Sequence, residues 1–343
     1  MTHRPLRLSL DPDALQSNWR WLQQHGGAPA GAAIKADGYG LGARDVMEHL
    51  HAAGCRDFFV STWAEAEALG ELPADARLAV LHGLGPDDGA AAASSAARPV
   101  LCSAGQVQRW RIAFEDRPCD VMIDTGMNRL GLAMDELAAL DGLNIDTLHS
   151  HLACADEDHL LNAKQLTRFR ETKAQVSAQR YSLANSAGIC MGPDWGFDLT
   201  RPGLALYGGI PREEARGHIT AVATLEAQIV QLRTLRAGDT IGYGATFTAA
   251  RDMAIAILNI GYADGYWRNL SGQGHARIAD TLLPLVGRVS MDLVAVDISR
   301  MPDWREGDWM RLDFDLEQVA MQAGLSQYEV LTGLGNRYGR RWT

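Results

Sequence analysis

From about residue 30 to residue 207 the chain repeats one pattern: a short apolar run, then a stretch with helical periodicity, then another run. The runs are Gly31–Lys35, Asp57–Val60, Arg77–Leu81, Pro99–Cys102, Asp120–Ile123, Ile145–His149, Arg180–Ala184 and Leu204–Tyr207. Between them lie amphipathic segments such as Ala43–Ala53, Ala64–Leu69, Ala104–Phe114 and Asp158–Ala178. Regular strand–helix alternation forces parallel pairing through right-handed crossovers. Eight such units in under 200 residues predict an α/β fold closed as a (β/α)8 TIM-like barrel rather than an open sheet. Asp11-Pro12, ahead of Leu15, Trp19 and Leu22, reads as a helix start: a cap residue followed by proline.

The pattern changes after about residue 218. Ile219–Leu232 is too long for a barrel strand, and Met253–Ile260, His275–Ala279, Leu282–Val286 and Leu293–Ile298 follow with glycine, proline or aspartate turns. That predicts a mainly antiparallel C-terminal β domain ending in a helix over Leu316–Ala323. With 343 residues, more than one core is expected. The boundaries are a barrel over 1–215 and a β domain over 216–343, with Arg212–Gly217 as linker and residues 6–10 a candidate to pack with the second domain.

The formal net charge of -10, without a basic stripe, disfavours nucleic acid. Cys55, Cys102, Cys119, Cys154 and Cys190 are scattered and lack Cys-x-x-Cys spacing, so neither a disulfide framework nor a metal site is expected. Met1–Leu10 has no apolar core of signal-peptide type, and no run reaches the length of a membrane span. A cytoplasmic protein is expected.

Chemistry in a barrel gathers at the C-terminal strand ends, with phosphate held after the seventh and eighth strands. The unusual residues fall there. Lys35 ends the first run, inside Ala33-Ile34-Lys35-Ala36-Asp37-Gly38-Tyr39-Gly40. A poorly solvated lysine has a lowered pKa and can form a Schiff base. Arg129 follows the fifth run, His149 and His151 end the sixth, Asn185-Ser186 ends the seventh, and Arg201-Pro202-Gly203 abuts the eighth.

These segments resemble the alanine racemase family, pyridoxal-phosphate enzymes of barrel-plus-β-domain type. The match runs in the family's order through Ile34–Gly40, Asp124–Arg129, His151 with Ala155–Glu157, Asn185–Ala187 and Arg201–Gly208. It continues in the second domain through Gly242–Thr246, Gly261–Tyr266 and Gly287–Asp292. The resemblance implies that Lys35 holds pyridoxal 5'-phosphate and acts as one of two bases. Tyr243, supplied by the partner in a homodimer with shared active sites, would be the second base. A phenol ionises near pH ~10, so a neighbouring cation is required. Tyr39, Ser186 and the amides of Gly203 and Leu204 would hold the phosphate, beside Asn185. Arg201, backed by His151, would face the pyridine nitrogen. Arg129, Met291, Tyr262 and Asp292 would bind or admit the substrate, alanine.

Two positions depart from the family pattern. Met122 stands where many members carry a carbamylated lysine that braces the arginine equivalent to Arg129. Asn336, with Tyr338 two residues on, stands where a C-terminal tyrosine contacts the phosphate and narrows the pocket. An alternative is therefore a racemase of other or broader specificity, such as serine. A non-catalytic pyridoxal-phosphate-binding protein would resemble the barrel alone, and a decarboxylase would carry an acid where Arg201 stands. The expected role is supply of D-alanine for peptidoglycan.

Overall fold

The computed structural model describes residues 3–301 and 303–343. The chain packs as two compact units, Asp13–Thr220 and the N-terminal segment through Pro12 joined with Ala221–Thr343. Among the described residues no helix is long and apolar enough to cross a membrane.

In the first unit seven parallel strands run in sequence order: Ala32–Ala33, Asp57–Val60, Arg77–Val80, Arg98–Leu101, Cys119–Met122, Ile145–His149 and Arg180–Ser182. Ala32–Ala33, Asp57–Val60 and Cys119–Met122 are buried along their whole length, as strands covered on both faces must be. The crossover helices start where the local chemistry says they should. Thr62 and Ser103 accept hydrogen bonds from Glu65 and Gln106 and cap Trp63–Ala68 and Ala104–Phe114.

The eighth expected strand, Leu204–Tyr207, is a 3-10 helix. A four-residue apolar run carries no period of its own, and Pro202-Gly203 interrupts the ladder before it. The eighth place is taken by the preceding residues. Gly31 and Ala33 donate to the carbonyls of Thr200 and Pro202, both at 2.9 Å, while Asp198 and Arg201 donate to Tyr181 (2.9 Å) and Ala184 (2.8 Å) on the other side. Those bonds close the barrel. Arg212–Gly217, expected as a linker, belongs to this unit: Arg212 reaches the Ala155 carbonyl (3.0 Å) and Asp158 (2.7 Å).

Strands of similar phase bring their first charged residues together inside the barrel. Asp57 pairs with Arg77 (2.8 Å) and Arg180 (2.9 Å), Asp146 with Arg180 (2.8 Å) and Arg98 (3.4 Å), and Asp120 with Arg98 (3.1 Å) and His149 (3.4 Å). Three carboxylates and three guanidiniums alternate, so each buried charge has a partner.

The second unit is built on an eight-stranded sheet, with a small hairpin of Thr240–Ile241 and Phe247–Thr248 and the helices Leu316–Ala323 and Gln327–Thr332. The sheet's strand order is Met253–Leu258, Val294–Asp297, Thr281–Val286, His275–Ile278, Trp309–Leu312, Ala223–Leu235, Leu6–Leu10 and Gly339–Trp342. Met253–Leu258 also pairs with Ala223–Leu235, so six of the strands form a closed antiparallel ring. Leu6, Leu8 and Leu10 point inward, while Arg7 and Ser9 bond Glu226 on the neighbouring strand. The last strand lies parallel to Leu6–Leu10.

Candidate active site

Lys35 opens an unusual turn. Ala36, Asp37, Gly38, Tyr39 and Gly40 have φ of 52°, 53°, 62°, 55° and 86°, a run of left-handed backbone. Each non-glycine residue there costs roughly 1–2 kcal/mol. The turn persists because its surroundings hold it. Ala36 N donates to Glu65 Oε1 (2.8 Å), Ala43 N to Asp37 Oδ1 (2.9 Å), and Gly38 N to the Ile34 carbonyl (2.8 Å). A Cβ on Gly38 would meet the Ala43 backbone at 3.1 Å. Glu65 also accepts from Ser61 N (2.6 Å), while its own amide donates to the Thr62 hydroxyl that caps the helix (3.2 Å).

The turn presses the Tyr39 ring onto Tyr207, centroids 4.6 Å apart, and the Tyr207 hydroxyl donates to the Ala33 carbonyl (2.7 Å). Tyr39 and Gly203 then meet closely: a Cβ on Gly203 would lie 2.2 Å from the Tyr39 oxygen. Buried Ser186 accepts from Gly203 N (2.9 Å) and Ala205 N (3.3 Å). Two hydroxyls and a backbone amide therefore surround one bare Cα. Asn185 Oδ1 caps the short helix Ser186–Cys190 by accepting from Gly188 N (2.9 Å). Leu204 is buried.

Burial lowers the Lys35 amine below its ordinary pKa, and the Arg129 charge lowers it further, with Glu65 opposing. Buried Arg201 is pulled down to about 10 by loss of solvent, with Asp120 opposing. Its guanidinium donates to Ser182 Oγ and to the Ser150 carbonyl, both at 2.5 Å. Those two contacts hold it where a bond to His151 was expected. Burial, with Arg201, Arg129 and Lys35 nearby, depresses His151 to about 3, so it is neutral at physiological pH.

Arg129 lies exposed on the loop after the fifth strand, whose turn is set by Asp124 Oδ1 accepting from Gly126 (2.8 Å) and Asn128 (3.1 Å). Met122 is buried beneath Gly131 and offers no charge; among the described hydrogen bonds none is made by the Arg129 guanidinium.

The remaining expected residues lie in the second unit, on turns. Tyr243 is 69 % exposed, Met291 53 % and Tyr262 37 %. The Tyr243 turn rests on Arg288, whose Nη1 would lie 3.4 Å from a Cβ on Gly244. Asp292 pairs with Arg337 at 2.7 Å. Tyr338, one candidate for the phosphate-contacting phenol, is wholly buried and donates to the Asp264 carbonyl (3.0 Å).

Residues 10–211 match the alanine racemase N-terminal domain family, and residues 222–342 match the alanine racemase C-terminal domain family. The chain belongs to the alanine racemase family. Its relatives include the alanine racemase of Acidiphilium cryptum, 43 % identical over 97 % of both chains, and that of Rhodospirillum rubrum, 42 % identical over 98 % of this chain and 95 % of the other. Among solved structures, alanine racemase from Bartonella henselae, described with covalently bound pyridoxal phosphate, superposes with a TM-score of 0.90 at 35 % identity over the whole of both chains. The biosynthetic alanine racemase of Pseudomonas aeruginosa superposes with a TM-score of 0.88 at 33 % identity, over 99 % of this chain and 100 % of the other. The fold expected from the sequence, a barrel followed by an antiparallel β domain, is the fold of these alanine racemases.

Sequence reasoning gave no individual role to Glu65, Ser150, Ser182, Ala205, Tyr207, Arg288 or Arg337, although Ala205, Tyr207 and Arg288 lie within the segments that carry the resemblance. Only Glu65 carried a local signal, its place three residues after Thr62. The others act through contacts that join distant segments.

Proposed function

We propose that the protein interconverts L- and D-alanine with pyridoxal 5'-phosphate as cofactor. The observation that carries this is the convergence at one barrel rim of a desolvated lysine amine, a buried guanidinium and a cradle of Tyr39, Ser186 and Gly203. The donor set suits the cofactor. Lys35 suits its aldehyde, the cradle suits a phosphate, and donor-only Arg201 suits a ring nitrogen that accepts a hydrogen bond. The family and the Bartonella henselae structure support the same reading.

When bound, the cofactor supplies a ring that draws off the electron pair left at the substrate's α-carbon. The protein supplies the proton traffic. Lys35 Nζ takes or returns the α-proton on one face. Tyr243 Oη, from a second copy of the chain, does so on the other. Two opposed bases are what inversion requires, since one returns what the other removes. Arg201 cannot accept a proton and leaves the ring nitrogen unprotonated, which favours return of the proton to the α-carbon over transamination. The Ser150 and Ser182 oxygens keep Arg201 in place, close to a neutral His151. Arg129 and the Met291 backbone engage the substrate carboxylate, with Tyr262 and Asp292 at the entrance. A homodimer sharing its active sites follows from the role of Tyr243. The cellular role is supply of D-alanine for peptidoglycan.

The test is D-enantiomer formation from a panel of L-amino acids, using purified protein with added pyridoxal phosphate. Conversion of alanine well above serine is expected. Preference for serine would assign another racemase specificity. Bound cofactor without turnover would leave only a carrier.

A further inference from the structure

Two turns of the β unit carry Tyr262 and Met291, and their mutual fit is tight. Tyr262 N donates to the Ser290 carbonyl (3.0 Å) and Ala263 N to the Met291 carbonyl (3.1 Å). A Cβ on Gly261 would lie 2.3 Å from the Met291 oxygen, so only glycine lets the turns approach. One side chain ties both. Arg337 grips Asp264 through Nε (2.6 Å) and Nη2 (2.8 Å), and reaches Asp292 through Nη1 (2.7 Å). Asp264 Oδ2 in turn accepts from Gly261 N (3.0 Å), which fixes the start of the first turn. The Asp264 side chain is 1 % exposed, whereas those of Arg337 and Asp292 are 49 % and 51 % exposed.

We propose that Arg337 is a positioning residue that clamps the Gly261–Gly265 turn to the Ser290–Asp292 turn, and so sets the Tyr262 ring and the Met291 backbone at the spacing a small amino acid needs. This rests on the reading that those two groups face the substrate. The division of labour follows from burial. The carboxylate of Asp264 has no water to replace a lost partner, so its bidentate contact anchors the guanidinium. Burial raises the Asp264 carboxyl above its ordinary pKa even against Arg337 and the Gly261 amide, so its charge depends on that arginine. The half-exposed Arg337–Asp292 arm contributes little to stability. It does set direction, because a planar guanidinium fixed at one acid has little freedom left at the other. The clamp therefore works on turn geometry more than on folding.

The experiment compares Arg337→Lys, Arg337→Ala and Asp292→Asn with the wild-type holoenzyme. For alanine, KM rises about tenfold in Arg337→Ala with kcat lowered less than about threefold, the pattern of lost binding geometry rather than lost chemistry. Asp292→Asn gives a smaller rise in KM at unchanged Tm, and Arg337→Lys falls between. In the apo protein, deuterium exchange at the Tyr262 and Ala263 amides speeds up in all three, while Val294–Asp297 exchanges at the wild-type rate. Unchanged KM with unchanged exchange in Asp292→Asn and Arg337→Lys overturns the clamp, even if Arg337→Ala fails to fold. Faster Tyr262 and Ala263 exchange in the variants with no alanine racemisation by the wild type would keep the clamp and sink the substrate reading.

Discussion

The barrel rim and the β-unit turns hold their site residues in opposite ways. At the rim Tyr39, Ser186 and Arg201 are buried, and each is pinned by neighbours from other segments: Tyr207, Gly203, Ser182 and the Ser150 carbonyl. On the turns Tyr243, Met291 and Tyr262 project from the chain, and what is fixed is the backbone beneath them. Burial is also where charge is tuned. Lys35, His151 and Arg201 are all shifted down first by loss of solvent. A barrel rim can therefore be finished by folding alone. Exposed turns are finished by what covers them, which in our proposal is a second copy of the chain.

The sharpest way to break this contrast is to remove one proposed base from each side. Lys35→Ala should abolish the visible absorbance of bound cofactor and all measurable turnover. Tyr243→Phe should keep that absorbance yet lower kcat on the order of 10²–10⁴-fold, the usual worth of a positioned acid or base. Mixed after subunit exchange, the two variants should regain up to a quarter of wild-type activity, because the heterodimer, about half of a random mixture, has one complete site of two. No recovery in the mixture would place both bases on one subunit.

A smaller effect separates the buried half by pH. His149 and His151 are depressed by burial to about 4 and about 3, while an unfolded histidine titrates near ~6.5. Between those values the unfolded chain binds more protons, so stability rises with pH across that window and is lost as pH falls through it. For wholly buried His149 the slope is about 1.4 kcal/mol per pH unit. The barrel's Tm should fall from pH 6.5 toward pH 4 by this mechanism, and His149→Gln should flatten the fall. An equally steep profile in that variant would remove His149 from the account.

The smallest effect concerns Tyr338. Its buried hydroxyl holds the Asp264 carbonyl, so Tyr338→Phe should cost about 1 kcal/mol in stability and leave cofactor affinity and kcat alone. A changed cofactor affinity would put this phenol at the phosphate after all.

Much of the candidate site was legible because its residues sit in glycine-marked turns after apolar runs. Lys35 before Ala36–Gly40, Arg129 after Asp124–Gly126 and Arg201 before Pro202-Gly203 all stood out in this way. The eighth strand misled for the converse reason. Leu204–Tyr207 is apolar and buried, which a 3-10 turn satisfies as well as a strand does. Ser150 and Ser182 carried no mark at all, since a serine beside a strand end is unremarkable until an arginine arrives from elsewhere.

The sequence by itself determined the two architectures, the order of the barrel strands and the residues we propose for the chemistry, because hydrophobic period and glycine placement act over a few neighbouring positions. Tertiary structure alone decided how the barrel closes through Thr200–Pro202, which oxygens hold Arg201, and that Arg337 joins Asp264 to Asp292. Those outcomes depend on which distant segments exclude water from one another. A charge or hydroxyl finds its partner only after that exclusion makes an unpaired one costly.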